Sequence, residues 1–503
     1  MKKVLSPLIR GYFASRYAGV QQWYQHAVQC QHNIFDYLVY AGRETAWGQR
    51  YAYHQIKNTK QYAQQVPIQD YDTLQPYITE TLAGKPNVLW HTPIRWFAKS
   101  SGTTSDKSKF IPLSRASFNK NHYLGARDIL TLYCTANPNT RIFEGKGLII
   151  GGSHQISQLN QQARYGDLSA VLAQNMPAIG HYMRTPDLAT TLMPNWDEKL
   201  ERIVQITKSQ NVTQMAGVPT WTLIVLKHLL SVTGKDTVAE VWQNIELYMH
   251  GGVSFTPYEQ QFKQIIGSDK MQFWQTYNAS EGFFAVQDQA NRNDMLLLAN
   301  HAIYYEFMPM SELGTEKPRT LQLHEVEVGQ NYALIISTYS GLWRYMVGDT
   351  IQFTTLSPYR IRVTGRTKHY INAFGEEVIV DNADAALATA CAKHHATVRD
   401  YTAAPIYFGA TNKGGHEWLI EFEREPDNLA AFATDLDQAL QNLNSDYEAK
   451  RYKDMAMQAA LVRAVPEGTF YRWLQSKGKL GGQNKVPRLS NTREYIDAIW
   501  KNE

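Results

Sequence analysis

The sequence predicts an α/β protein, with a large N-terminal domain of helix-covered β-sheets over residues 1–365 and a small C-terminal α+β domain over 366–503. Three observations carry this prediction. The chain has 503 residues, 44% hydrophobic and 19% charged, an ordinary globular composition with room for about two to four domains. From about residue 88 onward, short apolar runs of strand length alternate with helical stretches, the pattern of a sheet covered by helices. From Tyr401 the pattern changes to hairpin, helix, strand and helix, a unit with a core of its own.

The elements follow in order. The first 60 residues read as helix: Val20, Trp23, Tyr24, Ala27 and the run His32 to Leu38 recur at helical spacing. Gly147-Leu148-Ile149-Ile150-Gly151-Gly152 is a buried strand ending in a glycine turn, and Asp197 to Ser209 is an amphipathic helix. Val218-Pro219 turns into an apolar helix from Trp221 to Leu230, and Asn331 to Thr338 is a strand. Tyr401 to Ala410 and Glu417 to Phe422 form a hairpin around the turn Lys413-Gly414-Gly415. A helix over Asp427 to Leu443 is expected to take Asp427 as its N-cap. Met457 to Val465 is a third strand, and Pro466-Glu467-Gly468 to Gln475 starts another helix.

Composition excludes several classes. Fifty Lys plus Arg against 46 Asp plus Glu give a net charge of +4, which is no nucleic-acid signature over this length. Cys30, Cys134 and Cys391 are far apart and form neither a disulfide framework nor a zinc spacing. After Met1-Lys2-Lys3 the apolar stretch is broken by Pro7 and closed by Arg10, too short for a secretory core. No window approaches the ~18 apolar residues of a membrane span. The expectation is a cytoplasmic monomer that acts on small molecules, away from membranes and nucleic acids.

Four segments carry chemistry. Ser100-Ser101-Gly102-Thr103-Thr104-Ser105-Asp106-Lys107-Ser108-Lys109 lies between Trp96-Phe97-Ala98 and Phe110-Ile111-Pro112-Leu113, so it is a loop between strands. Its hydroxyls, backbone N–H groups and ammonium suit one polyanion such as a triphosphate. Walker A spacing is absent, and the segment read alone is equally a solvated Ser/Thr turn. In Tyr277-Asn278-Ala279-Ser280-Glu281-Gly282, Tyr277 can stack on a base and Glu281 offers an oxygen ligand to Mg²⁺; alone, this is also a strand end with one surface Glu. In Gly341-Leu342-Trp343-Arg344-Tyr345-Met346-Val347-Gly348-Asp349, Asp349 can accept from ribose hydroxyls or merely stabilise a turn. In Val363-Thr364-Gly365-Arg366-Thr367-Lys368, Arg366 can reach phosphate or ribose, or decorate a surface hairpin.

In order and spacing the four segments resemble the acyl-adenylate-forming superfamily. In detail they resemble its Gretchen Hagen branch, the auxin-responsive acyl-acid amido synthetases, over roughly residues 60 to 490. The resemblance implies ATP as co-substrate and Mg²⁺ as metal. Ser100, Ser101, Gly102, Thr103, Thr104, Ser105 and Lys109 would hold the β- and γ-phosphates. Ser280 and Glu281 match the hydroxyl–Glu pair whose Glu ligates Mg²⁺; Asp349 matches the ribose-binding Asp, and Arg366 the Arg after it. Lys368 falls at the hinge of the small domain. Lys485, in Gly482-Gln483-Asn484-Lys485, matches the terminal catalytic lysine. The loop from Gly251 to Phe255, with Val253, resembles the adenine side, and Trp221 and Phe255 are the expected walls for the acyl acid. The chain departs from the pattern at Asp106, where the family has glycine. His154, His181 and His250 are candidate proton carriers.

The implied reaction is ATP-dependent activation of a carboxylic acid as acyl-AMP with release of pyrophosphate, then amide formation with an amino acid or another amine. The alternatives are an acyl-CoA synthetase, which shares the first step and forms a thioester, and a nucleotide-binding interaction protein without chemistry. No nucleophile elbow points to a covalent enzyme intermediate.

Overall fold

The N-terminal helical run folds as Lys2–Gln25 and Ala27–Gly42, not as one continuous rod. Val20, Trp23, Ala27, Ile34 and Leu38 recur at spacings of three, four or seven residues and are buried, so both helices present one stripe to the core. Gln31 lies in that stripe, and its amide is fully used. It donates to the Ala299 and Ile303 carbonyls at 2.8 and 2.9 Å and accepts from Tyr305 N–H at 2.8 Å. A buried amide that satisfies three backbone groups fixes the helix on the sheet. This computed structural model describes residues 2–100, 109–150, 156–253, 255, 258–290, 292–367, 370–408, 414–476 and 487–501.

The main sheet has 11 strands and two halves. In one half, Arg184–Thr185, Lys146–Ile149, Val212–Gly217, Leu247–His250 and Gln272–Ala279 lie side by side, all parallel. Their connections carry helices, among them Trp196–Thr207 and Pro219–Thr233, as parallel strands require. In the other half every pairing is antiparallel, in the order Gly282–Val286, Met295–Leu297, Tyr359–Arg366, Tyr345–Leu356, Asn331–Thr338, Ile303–Pro309. The two halves join where Gln272–Ala279 turns back into Gly282–Val286. A second sheet pairs Trp96–Ser100 with Lys109–Leu113 antiparallel, so Ser100 faces Lys109 and the hydroxyl-rich loop runs between them.

The smaller C-terminal unit packs helices Val380–His394 and Leu429–Leu443 against each other and against a sheet of Thr397–Ile406, Gly415–Arg424 and Leu461–Val465. Two sequence expectations change here. The cap of Leu429–Leu443 is Asn428, whose Oδ1 accepts from Ala431 N–H at 3.0 Å, not Asp427. The last strand begins at Leu461, not Met457. Before it, the Met457 carbonyl accepts from Arg451 and the Ala460 N–H donates to Asp437, so this backbone is taken out of the ladder. Tyr258 ties the two parts together by donating to the Ala373 carbonyl at 2.5 Å. No helix among the described residues is long and apolar enough to cross a membrane.

Candidate active site

The carboxyl ends of the parallel strands open into a cavity of about 2210 Å³, lined by Ile150, Gly217, Gly251 and Ser280. Ligands of open α/β sheets bind at such strand ends. The antiparallel half closes the other side with Asp349 and Arg366. These two are direct register partners on adjacent strands, so their side chains leave the same face of the sheet. Arg366 Nε donates to Asp349 Oδ1 at 2.9 Å, and Tyr277 Oη donates to Oδ2 at 2.6 Å. Tyr277 comes from the last parallel strand, so one carboxylate joins both halves of the sheet.

Local backbone explains two glycines. Gly348 holds a φ of 94°, a left-handed region where a side chain is strained, and this bend carries the chain into Asp349. A Cβ at Gly251 would lie 2.6 Å from the Thr276 carbonyl, so only glycine lets this loop approach its neighbour.

The electrostatics are tightly matched. Burial alone would lower the Arg366 pKa, but the Glu377 and Asp349 carboxylates outweigh it and hold the guanidinium charged; its nitrogen is 3.5 Å from Glu377. Its guanidinium also sits 5.0 Å from the Tyr370 ring centroid, a cation–π distance. Burial and the Asp349 charge push the Tyr277 phenol up, so it remains a donor. Burial raises the Glu281 carboxyl, against the opposing pull of Lys109. Burial lowers the Lys109 ammonium, against Glu281. A carboxylate and an ammonium that both line the cavity thus feel each other's charge.

These charges fit a nucleotide with its metal. Among the described residues no group of three or more His, Cys, Asp and Glu is placed to hold an ion. Mg²⁺ bound with a triphosphate needs none, because one or two carboxylates suffice and phosphate oxygens and water complete the shell. Glu281 would be the carboxylate for it, with Lys109 and Arg366 as the nearby cations.

The remaining sequence candidates divide. Ser280 and Val253 line the same cavity. Trp221 lines it too, and its ring packs against Trp196 at 4.3 Å. Phe255, expected as a wall, is placed elsewhere: it stacks on His250 at 4.0 Å within the core of Tyr248, Phe262 and Phe273. His250 is buried and neutral, its pKa lowered to about 3 by desolvation. His181 lies half-buried on the helix Ala178–Met183. Ser101, Gly102, Thr103, Thr104, Ser105, His154, Lys368 and Lys485, and the Ser100 side chain, lie outside the described residues.

Some residues escaped the sequence reading. Arg344, inside the third motif, is 3% exposed and structural. It pairs with Glu306 at 2.9 Å and donates to the Ala63 and Val66 carbonyls, holding the strand that leads to Asp349. Glu377 flanks Arg366 without a motif of its own.

The architecture is that of acyl acid amido synthetases and acyl-CoA ligases. The structure superimposes on the GH3.15 acyl acid amido synthetase with a TM-score of 0.62 at 15% identity, covering 97% of this chain and 95% of that one. A 2-hydroxyisobutyryl-CoA ligase in complex with 2-HIB-AMP and CoA matches at 0.55 and 15% identity, covering 97% and 92%. Within that class the chain belongs to the GH3 family: residues 16–271 match the GH3 family N-terminal domain, 296–366 the central domain and 381–494 the C-terminal domain. The indole-3-acetic acid-amido synthetase GH3.3 of Arabidopsis thaliana is 23% identical over 558 residues, covering 93% of this chain and 90% of that protein. The 4-substituted benzoates-glutamate ligase GH3.12 of the same plant is 23% identical over 215 residues, 39% of this chain and 36% of that one. The family expected from the motifs is the family matched.

Proposed function

We propose that this chain is an ATP-dependent acyl acid amido synthetase. A carboxylate attacks the α-phosphorus of ATP, giving acyl-AMP and pyrophosphate, and an amine then attacks the acyl carbon, giving the amide and AMP. The observation that carries the reading is the junction of Tyr277, Asp349 and Arg366, with Glu281 and Lys109 on the same cavity wall. The remaining lone pairs on the Asp349 oxygens suit the ribose hydroxyls. Lys109 and the loop Ser100 to Ser105 take the β- and γ-phosphates, with Ser280 beside them. Glu281 would hold the Mg²⁺, which would supply charge neutralisation at the phosphates. Val253 and Tyr277 flank the base, and Trp221 borders the acyl acid. Lys485 supplies an ammonium at the α-phosphate.

Catalysis of this kind is positioning and charge stabilisation. The two-domain division at 365/366, with Lys368 as hinge, fits a sequence of two half-reactions in one cleft. The second product decides between this function and thioester formation. A panel of carboxylic acids with Mg-ATP should give pyrophosphate in the first step, and an amide only when an amino acid is added. Release of pyrophosphate coupled to coenzyme A and not to any amine would refute the amide assignment. A melting curve unchanged by saturating Mg-ATP would refute nucleotide binding, since a ligand at 100 times its Kd adds about 2.7 kcal/mol to stability.

A further inference from the structure

The cavity continues past the nucleotide cluster, along the parallel half of the sheet, to a buried cation with no partner. Arg184 is 4% exposed and lines the cavity. Among the described residues none of its three guanidinium nitrogens has a hydrogen-bond partner. The carboxylate whose charge it feels is Asp187, but that group is spent on the Thr190 N–H and hydroxyl at 2.8 and 3.2 Å. In register, Arg184 lies beside Gly147, and Gly147 beside Gln214. Residues in one row leave the same face of a sheet. Glycine in the middle removes a side chain between the other two, and a Cβ there would sit 3.3 Å from Gln214 Cγ. Gln214 is 8% exposed, and its Oε1 also lacks a partner.

A buried guanidinium without an acceptor is among the costliest arrangements in a fold. Such a group persists where a ligand supplies what the protein does not. The same cavity carries apolar lining that includes Ile149, Leu172, Met176 and Met183. We propose that Arg184, with Gln214, binds a second carboxylate at the far end of the acyl acid, so that the preferred substrates are dicarboxylic acids with an apolar stretch between their two acid groups. This rests on the amido synthetase reading. A half-turn of the Gln214 amide presents its NH₂ group to the same anion.

The reacting carboxylate is not the one at Arg184. The strand carrying Tyr277 lies four strands away from the strand carrying Arg184, or about 19 Å at ~4.8 Å per strand. An acid group at Arg184 therefore cannot also meet a phosphate held beside Glu281. The separation calls for a long substrate, anchored at one end and activated at the other.

The test compares linear monocarboxylic acids with α,ω-dicarboxylic acids of equal chain length, in wild type and in Arg184→Met. The readouts are kcat/KM for Mg-ATP-dependent pyrophosphate release and, separately, calorimetric binding of the acids. Wild type should favour the longer diacids over matched monoacids by roughly 10- to 150-fold, the range of a charged hydrogen bond. Arg184→Met should erase that ratio, and Arg184→Lys should retain part of it. Because the variant removes an unpaired buried charge, it should melt no lower than wild type, so loss of folding does not obscure the ratio. No preference in wild type, or a ratio untouched by Arg184→Met, overturns the proposal. So does a change confined to the KM of the amine. If no acid releases pyrophosphate yet diacids bind in an Arg184-dependent manner, the site stands and the amido synthetase reading fails.

Discussion

Asp349→Ala, combined with Tyr277→Phe, tests whether one carboxylate holds the two halves of the sheet together at the site. The Asp349 and Arg366 side chains are 15% and 17% exposed, so the pair is largely desolvated. Removing one member of a buried pair costs about 3–5 kcal/mol, and the residual exposure places this case near the lower end. Two donors then lose their acceptor: Arg366 Nε at 2.9 Å and Tyr277 Oη at 2.6 Å. Tyr277→Phe alone should cost about 1.5–3 kcal/mol, as its hydroxyl donates to a charged group. In the Asp349→Ala background the same change should cost nothing, because the hydroxyl has no acceptor left. The expected coupling is therefore about 1.5–3 kcal/mol. Urea unfolding of the wild type, the two single variants and the double variant, at a mildly alkaline pH where the raised Tyr277 phenol is fully protonated, measures it. Calorimetry with AMP adds the functional arm: Asp349→Ala should weaken AMP roughly 10- to 100-fold, and Tyr277→Phe by less. Stabilities that add within about 0.5 kcal/mol would refute the shared-carboxylate argument.

Glu281→Gln should weaken Mg-ATP much more than AMP measured without metal; equal losses would make Glu281 structural. Burial raises the Glu281 carboxyl above its ordinary value, so it takes up a proton at higher pH than a free Glu. Wild-type affinity for Mg-ATP should fall as the pH drops toward that raised value, and Glu281→Gln should flatten this part of the profile. Glu376 and His416 are both fully buried, 2.8 Å apart, and Glu376 also accepts from the Ala373 and Phe374 N–H groups. These partners hold its carboxyl below the ordinary range despite burial. Its stabilising contribution is present above about pH 4.3 and lost as pH falls through the depressed value. Glu376→Gln should cost about 3–5 kcal/mol at neutral pH, read from the urea midpoint, with a smaller penalty in acid. Lys485→Ala should slow acyl-AMP formation by on the order of 10²–10³. The same variant should still convert supplied acyl-AMP and amine to amide; equal slowing of both steps would assign Lys485 to domain placement.

Local patterns were legible where local forces decide. Asn331 to Thr338 is a strand at the expected bounds, because a run of β-branched and apolar residues suits a strand buried on both faces. The motifs delivered Asp349 and Arg366, whose register pairing on adjacent strands the spacing does not contain. Boundaries failed where a side chain competes for backbone: Asn428 over Asp427 as cap, and Asp437 taking the Ala460 N–H ahead of the last strand. Phe255 failed because an aromatic beside a glycine loop can face either the cleft or the core, and the choice belongs to His250, which it covers. Arg184 carries no sequence signal at all. A buried arginine reads like an exposed one until the strands beside it are in place.

The junction at Asp349 also bears on how the chain acquires activity. Tyr277 and Asp349 are 72 residues apart, and Asp349 and Arg366 are 17 apart. The four antiparallel strands from Ile303 to Arg366 join the rest of the sheet where Tyr359–Arg366 pairs with Met295–Leu297, a closure across more than 60 intervening residues. Contacts of such separation form late, after the entropy of a long loop has been lost. During synthesis, the parallel half can therefore assemble on a nascent chain that still lacks Asp349, the proposed ribose acceptor. Nucleotide affinity should appear abruptly, once residue 366 has emerged and paired, and a labelled AMP analogue would then report completion of the sheet.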